Sequence, residues 1–379
     1  MEAPRISDEQ HPDPIVLRPI TPADIDAILD LGSDPQMQRW TTVPAPYARG
    51  DAEAFVSRCA VGWADGSSLT LAIESLDDLG VARFAGNVSL RPDGAGAASI
   101  GFALAPWARG RGVMSRAVRL VLEWGFATLD LQVVHWQAHE GNWGSRRVAR
   151  ACGFRVEGLV RGLLSARGVR YDGWIGSVVR GEALSPTAAW LGVPDLFGER
   201  VVLRPWRESD VPRVAEACAD VRTQAWLPQL PSPYTVSDAQ WYIRSREEQH
   251  ASARGLYWCV ADADDDRCLG SIAVFGLAGP DPAPEIGYWT HPAERGRGVM
   301  TEAVRMVVRH AVIPAQDGGL GLHRVTVRAA SRNTASNAVA VASGFTRTGV
   351  LRQGERLRDG TVDDFVLYDV LAAEVADHA

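Results

Sequence analysis

The sequence contains no lysine: all 39 of its basic residues are arginine. A nucleotide-binding P-loop, a Schiff-base enzyme and a mechanism with a lysine general base each need that residue, so these classes of site are excluded. With 46 acidic residues the net charge is −7. An acidic surface disfavours non-specific binding of nucleic acid, although it is compatible with a local basic groove.

Cysteine is also scarce. The 379 residues include five cysteines, which form no Cys-x-x-Cys pair and no regular framework. An odd, scattered set of this kind is typical of reduced thiols. No stretch approaches the ~20 apolar residues of a membrane span, and the polar N-terminus lacks the apolar core of a signal peptide. We therefore expect a cytoplasmic protein with no membrane partner.

The sequence does not indicate a metal site. His135 and His139 are four residues apart in a predicted strand, a spacing of about 13 Å that is too long for a shared zinc ion. The acidic run Asp262 to Asp266 lacks the glycine and the glutamate that a calcium-binding loop needs at fixed positions. We expect no metal in this protein.

The two halves of the chain resemble each other. The hexapeptide Arg-Gly-Arg-Gly-Val-Met occurs at 109–114 and again at 295–300, and Ile-Val-Leu-Arg-Pro at 15–19 matches Val-Val-Leu-Arg-Pro at 201–205. Both pairs are 186 residues apart. A repeat this long indicates a duplicated domain and not a solenoid.

Domain limits follow from this repeat and from a Pro- and Gly-rich segment between the copies. We predict a disordered tail at 1–14, a first domain at 15–180, a linker at 181–198, a second domain at 199–371 and a second tail at 372–379.

Each copy has the same order of predicted elements. Antiparallel strands come first, followed by a strand, the hexapeptide, a helix, a further strand, a short helix and a closing strand pair. In the first copy Val118, Val121 and Leu122 share one apolar helix face. This order predicts an α/β fold in which a mixed sheet is flanked by helices.

The hexapeptide lies between a strand and a helix. Its glycines allow backbone N–H groups to turn toward one point, and the helix N-terminus adds partial positive charge, so the segment is suited to bind a pyrophosphate. The alternative is an ordinary strand-to-helix turn with surface arginines, which a single Gly-x-Gly usually is. Its repetition in a diverged duplicate favours binding. The residues assigned to the two loops are Arg109, Gly110, Arg111, Gly112, Val113, Met114, Arg295, Gly296, Arg297, Gly298, Val299 and Met300.

Several motifs occur in the same order in both copies. An Ile-Gly-aromatic strand precedes Arg-Gly-x-Gly, and Asn-x-x-Ser leads into a helix that ends at Gly-Phe. With these motifs each half resembles the GNAT superfamily of acyl-CoA-dependent N-acyltransferases, in its RimJ/RimL branch. The family usually has Gly or Ala where this chain has Met114 and Met300, and we expect both side chains to turn into the core.

The resemblance implies two tandem GNAT folds related by a pseudo-two-fold duplication. It further implies that acetyl-CoA, bound at the two loops, is the acyl donor, and that the acceptor is an amine of a small molecule or of a peptide N-terminus. We expect either a monomer that contains an internal pseudo-dimer or a homodimer.

The Asn-x-x-Ser motifs provide candidate catalytic residues. By resemblance, Ser145 and Ser336 would donate a proton to the CoA sulfur, and Asn142 and Asn333 would orient pantetheine or substrate. The alternative role is capping of the helix N-terminus, which Asn and Ser commonly perform, and the two roles are compatible.

A carboxylate at the start of the strand before the loop would suit the general base that takes a proton from the amine. The second copy has Glu285 there, whereas the first has Ser99. The alternative for Glu285 is a solvated strand end. We therefore expect the second domain to be the principal catalytic domain and the first to have a less complete catalytic set.

Two other functions remain open. Some tandem GNAT-fold proteins transfer an amino acid from aminoacyl-tRNA, and tRNA would be a partner only in that case. The other possibility is a non-catalytic module that binds CoA or an amine. Five tryptophans could form an aromatic wall for an acceptor or could simply belong to the core: Trp40, Trp107, Trp143, Trp226 and Trp289.

Overall fold

The computed structural model describes residues 3–186, 189–278 and 284–376. The chain divides into two compact units, Met1–Thr187 and Ala188–Ala379. Each unit is built on one eight-stranded mixed sheet with helices packed against it. This confirms the predicted fold class of two tandem α/β units.

The first unit has the strand order β1-β2-β3-β4-β5-β6-β8-β7 across its sheet. The strands are β1 (Ile6–Ser7), β2 (Ile15–Pro19), β3 (Leu69–Leu76), β4 (Ala82–Pro92), β5 (Ala97–Leu104), β6 (Val133–His139), β7 (Arg155–Ala166) and β8 (Val169–Val179). The helices are α1 (Ile25–Ser33), α2 (Pro35–Trp40), α3 (Arg49–Asp65), α4 (Val113–Thr128) and α5 (Trp143–Ala151).

The second unit repeats this arrangement, with the order β9-β10-β11-β12-β13-β14-β16-β15. The strands are β9 (Leu196–Phe197), β10 (Val201–Arg204), β11 (Gly255–Asp262), β12 (Cys268–Phe275), β13 (Glu285–Thr290), β14 (Arg324–Ala330), β15 (Thr346–Arg356) and β16 (Val362–Leu371). The helices are α6 (Val211–Ala219), α7 (Val221–Trp226), α8 (Val236–Ala251), α9 (Val299–Val312), α10 (Thr334–Ala342) and α11 (Ala372–Ala376).

The core of each unit lies between its sheet and the helix that follows the hexapeptide. Helix α4 presents the predicted apolar face, and Val118, Val121 and Leu122 are completely buried against β4 and β5. Helix α9 does the same in the second unit with Val304, Val307 and Val308. Burial of these side chains stabilises the position of each helix, and with it the loop at the helix N-terminus.

One strand pair in each sheet is parallel, and this pair is short. In the first unit β5 pairs with β6 from Ala97 opposite Val133 to Ile100 opposite Trp136, although β5 continues to Leu104. In the second unit the β13–β14 pairing is recorded at Glu285 opposite Thr326. Past these points the neighbouring strands no longer pair, so each sheet opens at the carboxyl end of β5 or β13.

Short strands occur within the segments predicted as the first tail and the linker. Strand β1 pairs with β2, and the Asp8 carboxylate accepts hydrogen bonds from the Ile15 amide and from Arg116. The structure thus incorporates part of the segment 1–14 into the first sheet. Strand β9 falls within the expected linker 181–198 and pairs with β10.

Some of these predicted segments lie outside the described residues, namely positions 1–2, 187–188 and 377–379. In the second tail, helix α11 follows β16 directly. The domain limits given above therefore stay a prediction.

All five cysteines are free and buried. Within the described ranges no helix combines the length and the apolar character that a membrane crossing needs.

A buried ion pair supports the start of the second unit. Arg204, at the end of β10, donates to both carboxylate oxygens of Asp210 at 2.9 and 3.0 Å, and the two side chains are only 3% and 4% exposed. The equivalent Arg18–Asp24 pair in the first unit has the same geometry, but the arginine is 19% exposed.

We predict that Arg204→Met destabilises the second unit by about 3–5 kcal/mol, because it leaves the Asp210 carboxylate buried without its partner. The matched change Arg18→Met should cost less, since water reaches that pair. Urea unfolding followed by tryptophan fluorescence measures both. An equal or larger loss for Arg18→Met would contradict the role of burial.

Candidate active site

The two hexapeptides form nearly identical backbone turns. Gly112 and Gly298 precede α4 and α9 as their N-caps, with φ angles of +72° and +75°. Gly110 and Gly296 also have positive φ, at +77° and +75°. This left-handed region is readily available only to glycine, which explains why both positions carry it.

These turns leave a row of backbone donors free. Among the described residues, the N–H groups of 110–115 and of 296–301 have no hydrogen-bond partner. Those at the start of α4 and α9 lie in the first helical turn, which has no intrahelical acceptor. Free amides at a helix N-terminus favour an anion, so both turns are suited to a phosphate or pyrophosphate.

The loop arginines are engaged by acidic side chains. The guanidinium of Arg109 pairs with Asp34, the N-cap of α2, and that of Arg295 pairs with Asp220, the N-cap of α7. Burial alone would raise the pKa of the Asp34 carboxyl, but Arg109 and a backbone amide hold it below its ordinary value. These arginines therefore tie the loop to a neighbouring helix, and the main chain is left as the principal anion donor.

The second arginine of each loop is paired as well. Arg111 lies 3.2 Å from the Asp13 carboxylate, and Arg297 pairs with Glu294. Sequence reasoning missed the aspartates at 34 and 220. They are separated by the same 186 residues as the hexapeptides, so the repeat itself contained the signal that could have identified them.

The remaining loop positions face the core. Met114 and Met300 are each 4% exposed, and Val113 and Val299 are buried beside them. Their long or branched side chains pack under the sheet, as expected for the two methionines. Any contact of these four residues with a ligand is thus limited to their backbone amides.

An open cleft of about 1710 Å³ extends from the first loop along the sheet opening. It is lined by loop residues Gly110 and Gly112, by Ser99 and Gly101 of β5, and by the N-terminus of α5. The cleft therefore brings the predicted loop, the strand before it and Asn142 and Ser145 together at one site.

Ser145 lies at the sheet opening with its hydroxyl oxygen engaged. The indole N–H of Trp136, on β6, donates to Ser145 Oγ at 2.9 Å. Since indole is a donor only, it cannot accept the serine proton. Within the described part of the chain that proton has no acceptor, so it remains available to a group bound in the cleft.

Ser336 has a different partner. The Tyr288 hydroxyl lies 3.0 Å from Ser336 Oγ and donates to the Ser336 carbonyl at 3.1 Å. Burial raises the pKa of Tyr288 to about 12, so the phenol stays protonated at neutral pH. Tyr288 and Ser336 therefore form a hydroxyl pair that can relay a proton. Neither Trp136 nor Tyr288 was singled out from the sequence as a partner of these serines.

Both predicted asparagines act as helix caps. The side-chain oxygen of Asn142 accepts from the Ser145 amide, and that of Asn333 accepts from the Ser336 amide, each at 3.2 Å. The caps hold each serine at the first turn of its helix. A direct contact of Asn142 or Asn333 with a ligand remains a prediction.

Glu285 lies at the last paired position before the second sheet opens. Its carboxylate accepts a hydrogen bond of 2.8 Å from Arg328, on the neighbouring strand β14. Burial raises the pKa of Glu285, and the Arg328 guanidinium opposes that rise without cancelling it. A carboxyl with a raised pKa binds a proton more readily near neutral pH, as a general base must.

The five tryptophans lie in different surroundings. Trp40 and Trp143 line the cleft of the first unit. Trp107 packs against the first core, and Trp226 lines a small separate pocket in the second unit. Trp289 lies 6.3 Å from the ring of Trp206, a residue that the sequence did not bring to attention.

Both halves of the chain match the model of one protein family. The family model described as acetyltransferase (GNAT) domain matches residues 15–155 and 200–346, which together exceed half of the chain.

Individual relatives cover about half of the chain or less. Probable N-acetyltransferase YjcK of Bacillus subtilis (strain 168) is 28% identical over 176 residues, which are 45% of this chain and 94% of that protein. The ribosomal-protein-serine acetyltransferase of Escherichia coli (strain K12) is 33% identical over 104 residues, 27% of this chain and 55% of the relative. The structure of Mycobacterium smegmatis RimJ in complex with CoA-disulfide aligns with 47% of this chain and 88% of its own, with 21% identity and a TM-score of 0.40.

We predict that Arg328→Gln raises the pKa of Glu285 further, because burial then acts without the opposing guanidinium. A pH titration of the glutamate carboxyl carbons by NMR, assigned with Glu285→Gln, measures the change. Arg324→Gln is the control, since Arg324 lies on the same strand but pairs with Asp369. An unchanged titration in Arg328→Gln would contradict the proposed coupling.

The same shift has a consequence for stability. Because the folded pKa of Glu285 lies above the ordinary value of 4.5, protonation favours the folded chain. The stabilisation of the folded state by this raised pKa is fully present below pH 4.5. It is lost as the pH rises through the pKa that Glu285 has in the folded chain.

Proposed function

The chain belongs to the GNAT acetyltransferase family, and we propose that it transfers an acetyl group from acetyl-CoA to a primary amine of a small molecule or a peptide N-terminus. The observation that carries this proposal is the pair of glycine turns, whose free amides lie beside an opening in the sheet. Anion-binding amides and a neighbouring hydroxyl or carboxylate are what the binding and the chemistry of an acyl-CoA require.

The amides of 110–115 and 296–301 would bind the CoA pyrophosphate. All four loop arginines are already ion-paired, so the backbone supplies the principal donors. When bound, acetyl-CoA supplies an acyl group activated as a thioester. The backbone of β5 and β13 beyond the last parallel pair lies at the opening, where its N–H groups could polarise the carbonyl.

In the second unit, Glu285 would remove a proton from the ammonium group of the acceptor, directly or through water. The amine nitrogen then bonds to the acetyl carbon as the carbon–sulfur bond breaks. The Ser336 hydroxyl would give its proton to the leaving sulfur and regain one from Tyr288. The second proton that the nitrogen loses as the amide forms would return to Tyr288 through water. The products are the amide, free CoA and the proton taken up by Glu285, which is released to solvent.

The first unit has the same loop and a serine with an unengaged proton, Ser145, but Ser99 in place of the carboxylate. Its cleft is open, so we propose that it also binds acetyl-CoA. A relative named as a ribosomal-protein-serine acetyltransferase supports a peptide or protein amine as one class of acceptor. The second unit remains our proposed principal catalytic domain, because it has a carboxylate at the start of β13.

We predict that the chain binds two molecules of CoA and that Gly112→Val and Gly298→Val each remove one. A branched side chain disfavours the left-handed φ that these turns need. Equilibrium dialysis with CoA gives the number bound. Gly181→Val is the control, since Gly181 has a φ of +89° in the turn after β8 and does not line the cleft. Two CoA bound by both loop variants would contradict the proposal.

We predict that Glu285→Gln lowers kcat about 10²-fold and removes the acidic limb of the pH–rate profile, with little change in CoA affinity, because only the base is lost. Release of free thiol from acetyl-CoA with a panel of amines measures the rate. Glu157→Gln, which changes an exposed strand glutamate, should leave the rate unaltered. If no amine releases thiol although CoA binds, the non-catalytic interpretation replaces this one.

The two serines indicate which unit carries most of the turnover. Ser336→Ala should reduce the thiol-release rate more than Ser145→Ala does, since the second unit also has Glu285. A larger loss for Ser145→Ala would assign the principal reaction to the first unit instead.

A further inference from the structure

One face of the first sheet carries a polar stripe inside the cleft. Alternate residues of β4 and β5 are paired across the strands, with Arg91 opposite Ser99 and Ser89 opposite Gly101. These four residues line the cleft. The intervening residues of β4 point into the core on the other face, where Leu90 is completely buried. The stripe is therefore presented to whatever enters the cleft.

Arg91 is the charged member of this stripe, and its guanidinium lies over β5. A Cβ atom at Gly101 would be 2.6 Å from Arg91 Nη2, so the guanidinium rests against the Gly101 backbone. Among the residues that the structure describes, Arg91 has neither a hydrogen-bond acceptor nor an ion-pair partner, and its side chain is exposed to the cleft. It differs in this respect from the paired arginines of the loop.

Arg91 is also remote from the anion-binding loop. Its guanidinium lies over Gly101, three positions before the end of β5 at Leu104, which corresponds to about 10 Å along the strand. The guanidinium therefore belongs to the part of the cleft beyond the pyrophosphate-binding amides, on the side from which an acceptor would approach.

The charged residues that line the cleft are four arginines and one aspartate, namely Arg58, Arg91, Arg109, Arg147 and Asp51. The charge of Arg109 is already balanced by Asp34, which leaves Arg91 as the charged group of the stripe that a ligand would meet. The Asp51 carboxylate already accepts the Ala48 amide at 2.8 Å. An acceptor whose only charge is an ammonium group would be repelled by the guanidinium of Arg91.

The second unit has the reverse arrangement at the same positions. Phe275 pairs with Glu285 where Arg91 pairs with Ser99, and a Cβ at Gly287 would be 2.9 Å from the Phe275 ring. An apolar ring thus replaces the guanidinium, and a carboxylate replaces the hydroxyl. The first unit therefore presents at this position a guanidinium that is unpaired among the described residues, whereas the second presents a carboxylate that is paired with Arg328.

We propose that the first unit accepts an amine that also carries a carboxylate, and that Arg91 binds this carboxylate in the cleft. This inference rests on the proposed function. A guanidinium is planar and presents two parallel N–H donors, which match the two oxygens of a carboxylate. Ion pairing with the carboxylate balances the charge of Arg91 and holds the acceptor against β5.

Arg91 would also assist the transfer without taking a proton itself. A nearby cation favours the neutral form of an amine, so the acceptor nitrogen would lose its proton to water more readily. The neutral nitrogen then forms the amide bond as the carbon–sulfur bond breaks. Ser145 donates its proton to the leaving sulfur and regains, through water, the proton that the nitrogen loses. This would compensate for the absence of a carboxylate base at Ser99.

The test compares amines that differ only by a carboxylate. The test uses the full-length Gly298→Val chain, in which the turn of the second loop is disrupted. Thiol release is measured with 4-aminobutyrate against butylamine and with β-alanine against propylamine. We expect the carboxylate-bearing amine of each pair to have at least a tenfold higher kcat/KM. Adding Arg91→Gln should abolish the preference through a higher KM for the acid, with the KM for acetyl-CoA unchanged.

Arg155→Gln serves as the matched control, because Arg155 is an exposed arginine of β7 outside the cleft. It should retain the preference. Equal use of acid and neutral amines, or a preference that survives Arg91→Gln, would overturn the inference while leaving acetyl transfer established.

A binding measurement separates this inference from the proposed function. Calorimetry with glutarate, a dicarboxylate that has no amine, needs no turnover and uses the wild-type chain with CoA present. Binding that Arg91→Gln abolishes and Arg155→Gln retains supports the carboxylate site even if no amine is acetylated. Absence of Arg91-dependent glutarate binding counts against it.

Discussion

Each unit depends on one backbone constraint, the left-handed glycine between a central strand and the helix that follows it. Gly112 and Gly298 are the N-caps at which the chain turns from the strand connection directly into a helix. The first amides of α4 and α9 therefore have no hydrogen-bond partners among the described residues. Burial of Met114 and Met300 in the core stabilises each turn. The ion pairs Arg109–Asp34 and Arg295–Asp220 connect each turn to the N-cap of a short helix. Such a turn offers backbone donors to an anion without a lysine.

A second constraint is the short parallel pairing beside this turn. Since β5 and β6, like β13 and β14, stop pairing before the strands end, the sheet opens where the loop amides converge. The same opening receives Ser145 in one unit and Ser336 in the other. The duplicated fold therefore has two openings with the same backbone frame and different side chains, with Arg91 beside one and Glu285 beside the other.

Local features of the fold were accessible from the sequence. The duplication, the glycine turns, the apolar faces of α4 and α9 and the mixed sheet all follow from patterns within a few residues, or from a repeat that is visible by inspection. The N-terminal tail shows the limit of this reasoning. Residues 3–14 are polar, yet β1 pairs with β2 and Asp8 contacts Arg116, and these contacts join residues up to 108 positions apart.

The sequence by itself determined where the backbone must turn, because the conformational freedom of glycine and the period of an apolar helix face are properties of short segments. Only the tertiary structure decided which side chains meet. Trp136 contacts Ser145, Tyr288 contacts Ser336, and Arg91 lies unpaired over Gly101, because strand register and the packing of distant elements set these contacts. The side chains that meet at each sheet opening are therefore a property of the assembled sheet and not of any single motif.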